Sequence, residues 1–243
     1  MMFEKRFCAH RGLSALMPEN ALPALAAAIA LGADEIELDV RLTKDKELVV
    51  SHDPNLERVS DGTGQVGDYT LEELRQLNLG VHHGWVVHFC TLEEVFQQFA
   101  NKVVFNIHLK DCPDDVHMVT QIKALAEKYN AIDSIYLAAA PREFGMLALL
   151  KQIAPEISRN VIQYPGDGDK IFDMAKEFDC KRVQFWLGEF DEALINKLHD
   201  AGIRCNLYYA DNFENYEKYF AMGVDTLLTN RMDLAAEYRS KNM

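Results

Sequence analysis

Cysteine is scarce and unpatterned. Five residues, Cys8, Cys90, Cys112, Cys180 and Cys205, stand far apart in a chain of 243. An odd, dispersed set offers neither zinc-site spacing nor a disulfide framework, so a cytoplasmic setting is expected. No run of lysine or arginine occurs. With 25 basic against 38 acidic side chains the formal net charge is −13, the opposite of what a nucleic-acid backbone or an anionic membrane surface demands. Nor is any apolar segment long enough for a signal peptide or a membrane span. Met1-Met2-Phe3-Glu4-Lys5-Arg6 leads directly into a strand-like run. Low-complexity segments and internal repeats are also missing. The expected partner is therefore a small soluble molecule, with no nucleic acid and no stable membrane association.

What is present is a strict alternation of strand and helix patterns, the mark of a parallel sheet. Strand-like runs fall near 6–10, 35–40, 47–52, 103–109, 134–138, 159–164, 181–186, 203–208 and 224–229. Helical patterns fall near 20–31, 91–100, 115–129, 142–152, 169–178, 190–200, 213–222 and 231–240, and Thr91 with Glu94 forms a capping box. Nine strands against eight helices leaves one over. Only Thr43 to Lys46 separates the run at 47–52 from its predecessor, too few residues for a parallel crossover. That run must fold back as a hairpin. The other eight predict one closed (β/α)8 barrel over residues 1–243, a length typical of that fold. A small glycine-containing excursion at about 54–90 carries a short helix at 71–77 behind Thr70 and Glu73, and is expected over the barrel mouth.

Chemistry concentrates between Ala9 and Gly64. In Ile36-Glu37-Leu38-Asp39-Val40, period-two alternation puts both carboxylates on one face. Two adjacent buried carboxylates repel unless a cation lies between them, and a hard divalent metal suits that position. His10 and Arg11 end the first strand, at the face where barrel sites are built. The planar fork of Arg11 matches two phosphate oxygens, and Gly12 would let a phosphate approach the backbone. The hairpin returns His52 toward Glu37 and Asp39. Two imidazoles, each titrating near neutrality, can serve as base and acid in phosphodiester cleavage. Glu19 and Asn20 read as capping residues of the first helix that hold the histidine-bearing loop. His82, His83 and His88 read as solvated loop histidines.

Ala9-His10-Arg11-Gly12, Pro18-Glu19-Asn20, the run Gly32 to Val40, Leu42-Thr43-Lys44-Asp45, Val49-Val50-Ser51-His52-Asp53, Leu56-Glu57-Arg58 and Gly62-Thr63-Gly64 together resemble the N-terminal signature of the glycerophosphodiester phosphodiesterase family. The resemblance is dense over the first quarter and thins toward Thr229. It implies a barrel hydrolase that converts glycerophosphodiesters to glycerol 3-phosphate and an alcohol, by attack of a neighbouring glycerol hydroxyl and opening of a cyclic phosphate. It also implies one divalent metal, with magnesium favoured and manganese or calcium as alternatives. His108 stands where the family has a glutamate ligand, so the implied metal set is Glu37, Asp39 and His108, with Lys110 on the phosphate. Two more departures follow. The family's tryptophan- and asparagine-bearing motif is Leu207-Tyr208-Tyr209-Ala210-Asp211 here, and its threonine-aspartate is Thr229-Asn230. Tyr208 would line the substrate, with Trp85, Gln163, Tyr164 and Trp186 as further lining residues. The residues leave open a different diester (a lysophospholipid, phosphoinositide or sugar phosphodiester) and a barrel that binds a phosphorylated ligand without turnover. They do not address oligomeric state.

Overall fold

The computed structural model describes residues 3–140 and 144–242. Strand and helix alternate as β1 (Arg6–His10), α1 (Leu22–Ala30), β2 (Glu35–Leu42), β3 (Leu48–Val50), α2 (Leu71–Leu74), α3 (Leu92–Phe99), β4 (Val104–Leu109), α4 (Asp115–Lys128), β5 (Ile135–Ala139), α5 (Phe144–Ile153), β6 (Ser158–Ile162), α6 (Lys170–Glu177), β7 (Arg182–Trp186), α7 (Glu192–Asp200), β8 (Arg204–Tyr208), α8 (Phe213–Ala221), β9 (Thr226–Thr229) and α9 (Met232–Asn242). Eight strands pair in parallel, and β1 closes the ring by bonding both β9 and β2. The ninth, β3, is antiparallel to β2 in the register Val40 with Val50 and Leu42 with Leu48. The hairpin expectation holds. The start of the helix expected over 142–152 lies outside the described residues. The expected helix at 71–77 stops at Leu74, although its Thr70–Glu73 capping box forms, as does that of Thr91 and Glu94.

Alternation sorts each strand into two faces. Phe7, Ile36, Leu38, Phe105, Ile107, Leu137, Val183 and Leu207 point outward and pack with the helices into the main apolar core. The inward face is polar, unlike the branched aliphatic layers usual in such barrels. At its floor Glu35, wholly buried, receives Arg6 Nη1 at 3.2 Å, Arg182 Nη1 at 3.1 Å and the Tyr136 hydroxyl at 2.7 Å. Above it, Asn106 Nδ2 donates to Gln184 Oε1 at 3.1 Å and Asn206 Nδ2 to Tyr136 Oη at 3.1 Å.

The excursion forms a satellite apolar cluster of Leu56, Val66, Leu74, Leu79, Val87 and Phe89 around Ala21 and Val49. Beyond Pro54 none of its described residues lines the mouth of the barrel. It leans on the hairpin and the approach to α1 instead of covering the opening.

The floor carries a stability prediction. Glu35→Ala strands the largely buried guanidinium of Arg182, so urea denaturation should show a loss of about 3–5 kcal/mol. Arg6→Ala removes a more solvent-exposed partner and should cost about 1 kcal/mol or less.

Candidate active site at the barrel mouth

The carboxyl ends of the strands open into a cleft of about 540 Å³. The catalytic, metal-ligating and substrate-binding candidates His10, Arg11, Glu37, Asp39, His52, His108, Lys110 and Tyr208 all line it. β1 delivers His10 at its last residue, and left-handed backbone at Arg11 (φ 56) and Gly12 (φ 82) turns the chain toward α1. Gly12 is required for a reason other than phosphate approach. A Cβ there would stand 2.6 Å from the backbone carbon of Ala24, so glycine lets the turn pack on α1.

The His10 ring is buried. Its Nδ1 donates to Asn230 Oδ1 at 2.7 Å, while Nε2 lies 3.8 Å from Glu37 Oε2. Burial, reinforced by the adjacent Arg11 guanidinium, pushes His10 down to about 3, which keeps the ring neutral. Arg11 itself donates to Glu19 Oε1 at 2.9 Å and sets Nε 3.3 Å from Asp39 Oδ2. Although burial works against its charge, Asp39, Glu19 and Glu37 outweigh it and hold the guanidinium above its ordinary value.

Glu37 and Asp39 sit on the same face of β2, both buried. Burial, then the neighbouring Asp39, raises Glu37 well above the usual carboxylate range. Asp39 goes the other way. Burial would raise it too, but Lys110, the adjacent His108 ring and Arg11 hold it well below. Lys110 Nζ is 2.9 Å from Asp39 Oδ1 and 2.9 Å from His108 Nδ1, and that Nδ1 is 3.3 Å from Asp39 Oδ1. Burial and then Lys110 bring His108 down to about 4, again a neutral imidazole.

His52 arrives from the hairpin. Arg41 grips its carbonyl oxygen with Nε at 3.0 Å and Nη2 at 2.7 Å, and the ring donates Nδ1–H to Asp53 Oδ1 at 2.6 Å. Arg58 pairs with Asp53 and also with Glu19, bracing both histidine-bearing segments from outside the cleft. Burial lowers His52 overall, although Asp39 and Asp53 pull it upward. Both catalytic candidates therefore bond through Nδ1, and both leave Nε2 as the nitrogen for the cleft.

Opposite these charges stands a row of rings. His10 and Tyr208 are 5.1 Å apart, Tyr208 and Trp186 5.4 Å, Trp186 and Tyr164 6.2 Å between centroids. Charge lines the β1–β4 side and aromatic surface the β6–β8 side.

The sequence model of the glycerophosphoryl diester phosphodiesterase family matches residues 10–234. The chain belongs to that family. A glycerophosphodiester phosphodiesterase of Caldanaerobacter subterraneus is 31% identical over 230 residues, covering 91% of this chain and 92% of the relative. Among solved structures, an Oleispira antarctica phosphodiesterase in complex with the product sn-glycerol 3-phosphate superposes with a TM-score of 0.87 at 22% identity, over 98% and 96% of the two chains. An Agrobacterium tumefaciens glycerophosphodiester phosphodiesterase gives 0.81 at 24% identity, over 96% and 99%. These likenesses establish the barrel fold for this family member.

The donor set fits the divalent metal that membership implies. One ligating atom each from Glu37, Asp39 and His108 lies within 4.8 Å of the others. Glu37 Oε2 and His108 Nε2 are buried with no hydrogen-bond partner among the described residues. A second His-Cys-Asp cluster, His199, Cys205 and Asp225, is a structural tie instead: Asp225 Oδ2 accepts from His199 Nε2 at 2.9 Å and from the Cys205 backbone N–H at 2.7 Å.

Several side chains depart from their sequence-based roles. Glu19 and Asn20 do not cap α1, whose N-cap is Ala21 with no side-chain bond. Asn20 instead donates to Asp39 Oδ2 at 3.0 Å. Gln163 holds the Trp186 backbone and Trp85 is exposed on the excursion, so neither lines the cleft. Arg41 went unnoticed, although the alternation through Glu37 and Asp39 continues to it. Asp53, Asp211 and Asn230, the groups behind the two histidines, carry no spacing signal.

A divalent ion that binds the folded protein stabilises it by mass action. In chelator-treated protein, magnesium or manganese at roughly a hundredfold excess over Kd should raise Tm by about 5 °C or more. Glu37→Gln should remove most of that shift in a calorimetric scan. A melting point indifferent to every divalent ion would remove metal from the site.

Proposed function

We propose that this chain hydrolyses small, soluble glycerophosphodiesters to glycerol 3-phosphate and an alcohol, using one divalent metal and the pair His10 and His52. The observation that carries this reading is the pair of Nδ1-anchored imidazoles, which share one cleft with two buried carboxylates, Arg11 and Lys110. The sn-glycerol 3-phosphate held by the Oleispira structure supports the same product class.

Glu37, Asp39 and His108 would hold the metal, which when bound polarises a phosphate oxygen and the glycerol hydroxyl. Lys110 now occupies the lone pair of His108 Nδ1, so His108 joins that set when the ammonium turns to the phosphate. His10 Nε2 takes the proton of the glycerol hydroxyl next to the ester. That oxygen attacks phosphorus, the bond to the alcohol breaks, and His52 protonates the leaving oxygen. In the second half water is deprotonated by the now neutral His52 and opens the cyclic phosphate, and His10 returns its proton to the glycerol oxygen. The backing groups support this order. The carboxylate on His52 Nδ1 stabilises the imidazolium against the lowering by burial, whereas His10 has only a neutral amide there. Arg11 and Lys110 neutralise charge as it builds on phosphorus. The aromatic side of the cleft takes the alcohol.

Turnover of glycerophosphocholine and glycerophosphoethanolamine by metal-stripped protein, restored ion by ion, tests the reading. No turnover of either, with binding of glycerol 3-phosphate intact, would leave a phosphate-binding barrel without catalysis. His10→Ala and His52→Ala should each lower turnover by roughly two to four orders of magnitude while the protein stays folded; wild-type rates in either variant would remove that histidine from the mechanism.

The imidazole in the metal set also makes a prediction. Calcium prefers hard oxygen ligands and gains from each added negative charge. Magnesium or manganese should therefore support more activity than calcium, and His108→Glu should swing the preference toward calcium. Equal activity with all three ions, unchanged in the variant, would show that His108 is not a ligand.

A further inference from the structure

Asp211 and Asn230, two separate departures along the sequence, meet behind His10. We propose that Asp211 is a positioning residue that sets the tautomer of His10 by fixing which way the Asn230 amide faces. The inference rests on the reading of His10 as the base.

An ionised carboxylate only accepts hydrogen bonds, whereas a primary amide donates from one edge and accepts at the other. Asp211 is clamped by three donors. Its Oδ1 receives the Asn230 backbone N–H at 2.7 Å and the Thr229 hydroxyl at 3.0 Å, and its Oδ2 receives Asn230 Nδ2 at 2.8 Å. The amide must therefore turn its NH2 toward Asp211, which aims Oδ1 at His10. At 2.7 Å from an oxygen that cannot donate, His10 Nδ1 has to carry the proton. The lone pair then falls on Nε2, the nitrogen that faces Glu37 across 3.8 Å.

Nothing else described around the ring makes this choice. Glu37 Oε2 is beyond hydrogen-bond reach of Nε2, and Tyr208 meets the ring edge to face. Ser14 Oγ lies 2.7 Å from the His10 carbonyl oxygen and 3.1 Å from Asn230 Oδ1, and its single proton serves one of them at a time. With an amide at position 211, its oxygen would stay with the Asn230 backbone N–H and the Thr229 hydroxyl, so its NH2 would face the Asn230 side chain and turn that amide over. In the flipped orientation the Asn230 NH2 would face His10, Nδ1 would become the acceptor, and the proton would move to the nitrogen needed as base.

The test pairs a spectroscopic readout with kinetics. In 15N-histidine-labelled protein at a pH where the ring is neutral, His10 should show a protonated Nδ1 and an unprotonated Nε2, its signals assigned by their loss in His10→Gln. Asp211→Asn should shift His10 toward the tautomer protonated at Nε2 and lower kcat by roughly tenfold to a hundredfold, with little change in KM or Tm. Adding Asn230→Asp to Asp211→Asn places the carboxylate directly against Nδ1, and should restore both the nitrogen pattern and most of kcat. A role confined to holding the loop would not be rescued from position 230. Should Asp211→Asn fail to fold, Asn230→Ala must mix the tautomers from the other end of the pair. An unchanged nitrogen pattern in Asp211→Asn, or absence of rescue in the double variant, would overturn the proposal. Wild-type turnover in His10→Gln would instead overturn the reading of His10 as base, while the nitrogen spectra would still report on the relay.

Discussion

Strand alternation in β2 commits Glu35, Glu37 and Asp39 to the interior of a closed barrel, and much of the polar structure answers that commitment. Buried carboxylates are tolerable only with cations or donors beside them. At the floor, Arg6 and Arg182 neutralise Glu35 and Tyr136 completes its shell. At the mouth, Lys110 and Arg11 crowd Asp39. Glu37, between them, keeps an oxygen with no hydrogen-bond partner. The contrast along one strand, between a satisfied ion-pair network at Glu35 and an unpartnered oxygen on Glu37, separates the part that holds the barrel together from the part that lines the cleft.

The two histidines solve one geometric problem in different electrostatic ways. Each is fixed through Nδ1, by an amide for His10 and by a carboxylate for His52. Fixing that nitrogen orients the ring and decides which nitrogen reaches the cleft. Burial lowers both rings, and only His52 has a carboxylate behind it to pull it back upward. Arg58 bonds both Asp53, which backs His52, and Glu19, which holds Arg11 beside His10.

Elements whose evidence is local were legible in the sequence. The Glu37–Asp39 alternation, the impossibility of a crossover after Thr43, and the resulting delivery of His52 needed only strand geometry and chain length. Partners separated by most of the chain were not. Nothing near His10 announces that Asn230 and Asp211 back it, because the contact exists only once β9 closes against β1. Glu19 and Asn20 were misassigned for a related reason. Residues ahead of a helix satisfy the same local pattern whether they cap it or reach across to Arg11 and Asp39, and only the closed barrel chooses. Gly12 shows the limit of reading a glycine, since a missing side chain can make room for a ligand or for a neighbouring helix. Here the backbone of Ala24 fills the space.

The division of the cleft has a consequence for how such a protein diversifies. In the proposed mechanism proton transfer and charge neutralisation fall to the β1 to β4 side, while the surface offered by β6 to β8 consists of Ile162, Tyr164, Trp186 and Tyr208. Tyr208 alone of these meets the His10 ring, edge to face. In that mechanism, substitutions farther along the aromatic side, at Trp186, would change which alcohol is accommodated. The barrel mouth is in this sense two half-sites, one built from charge and the other from aromatic surface.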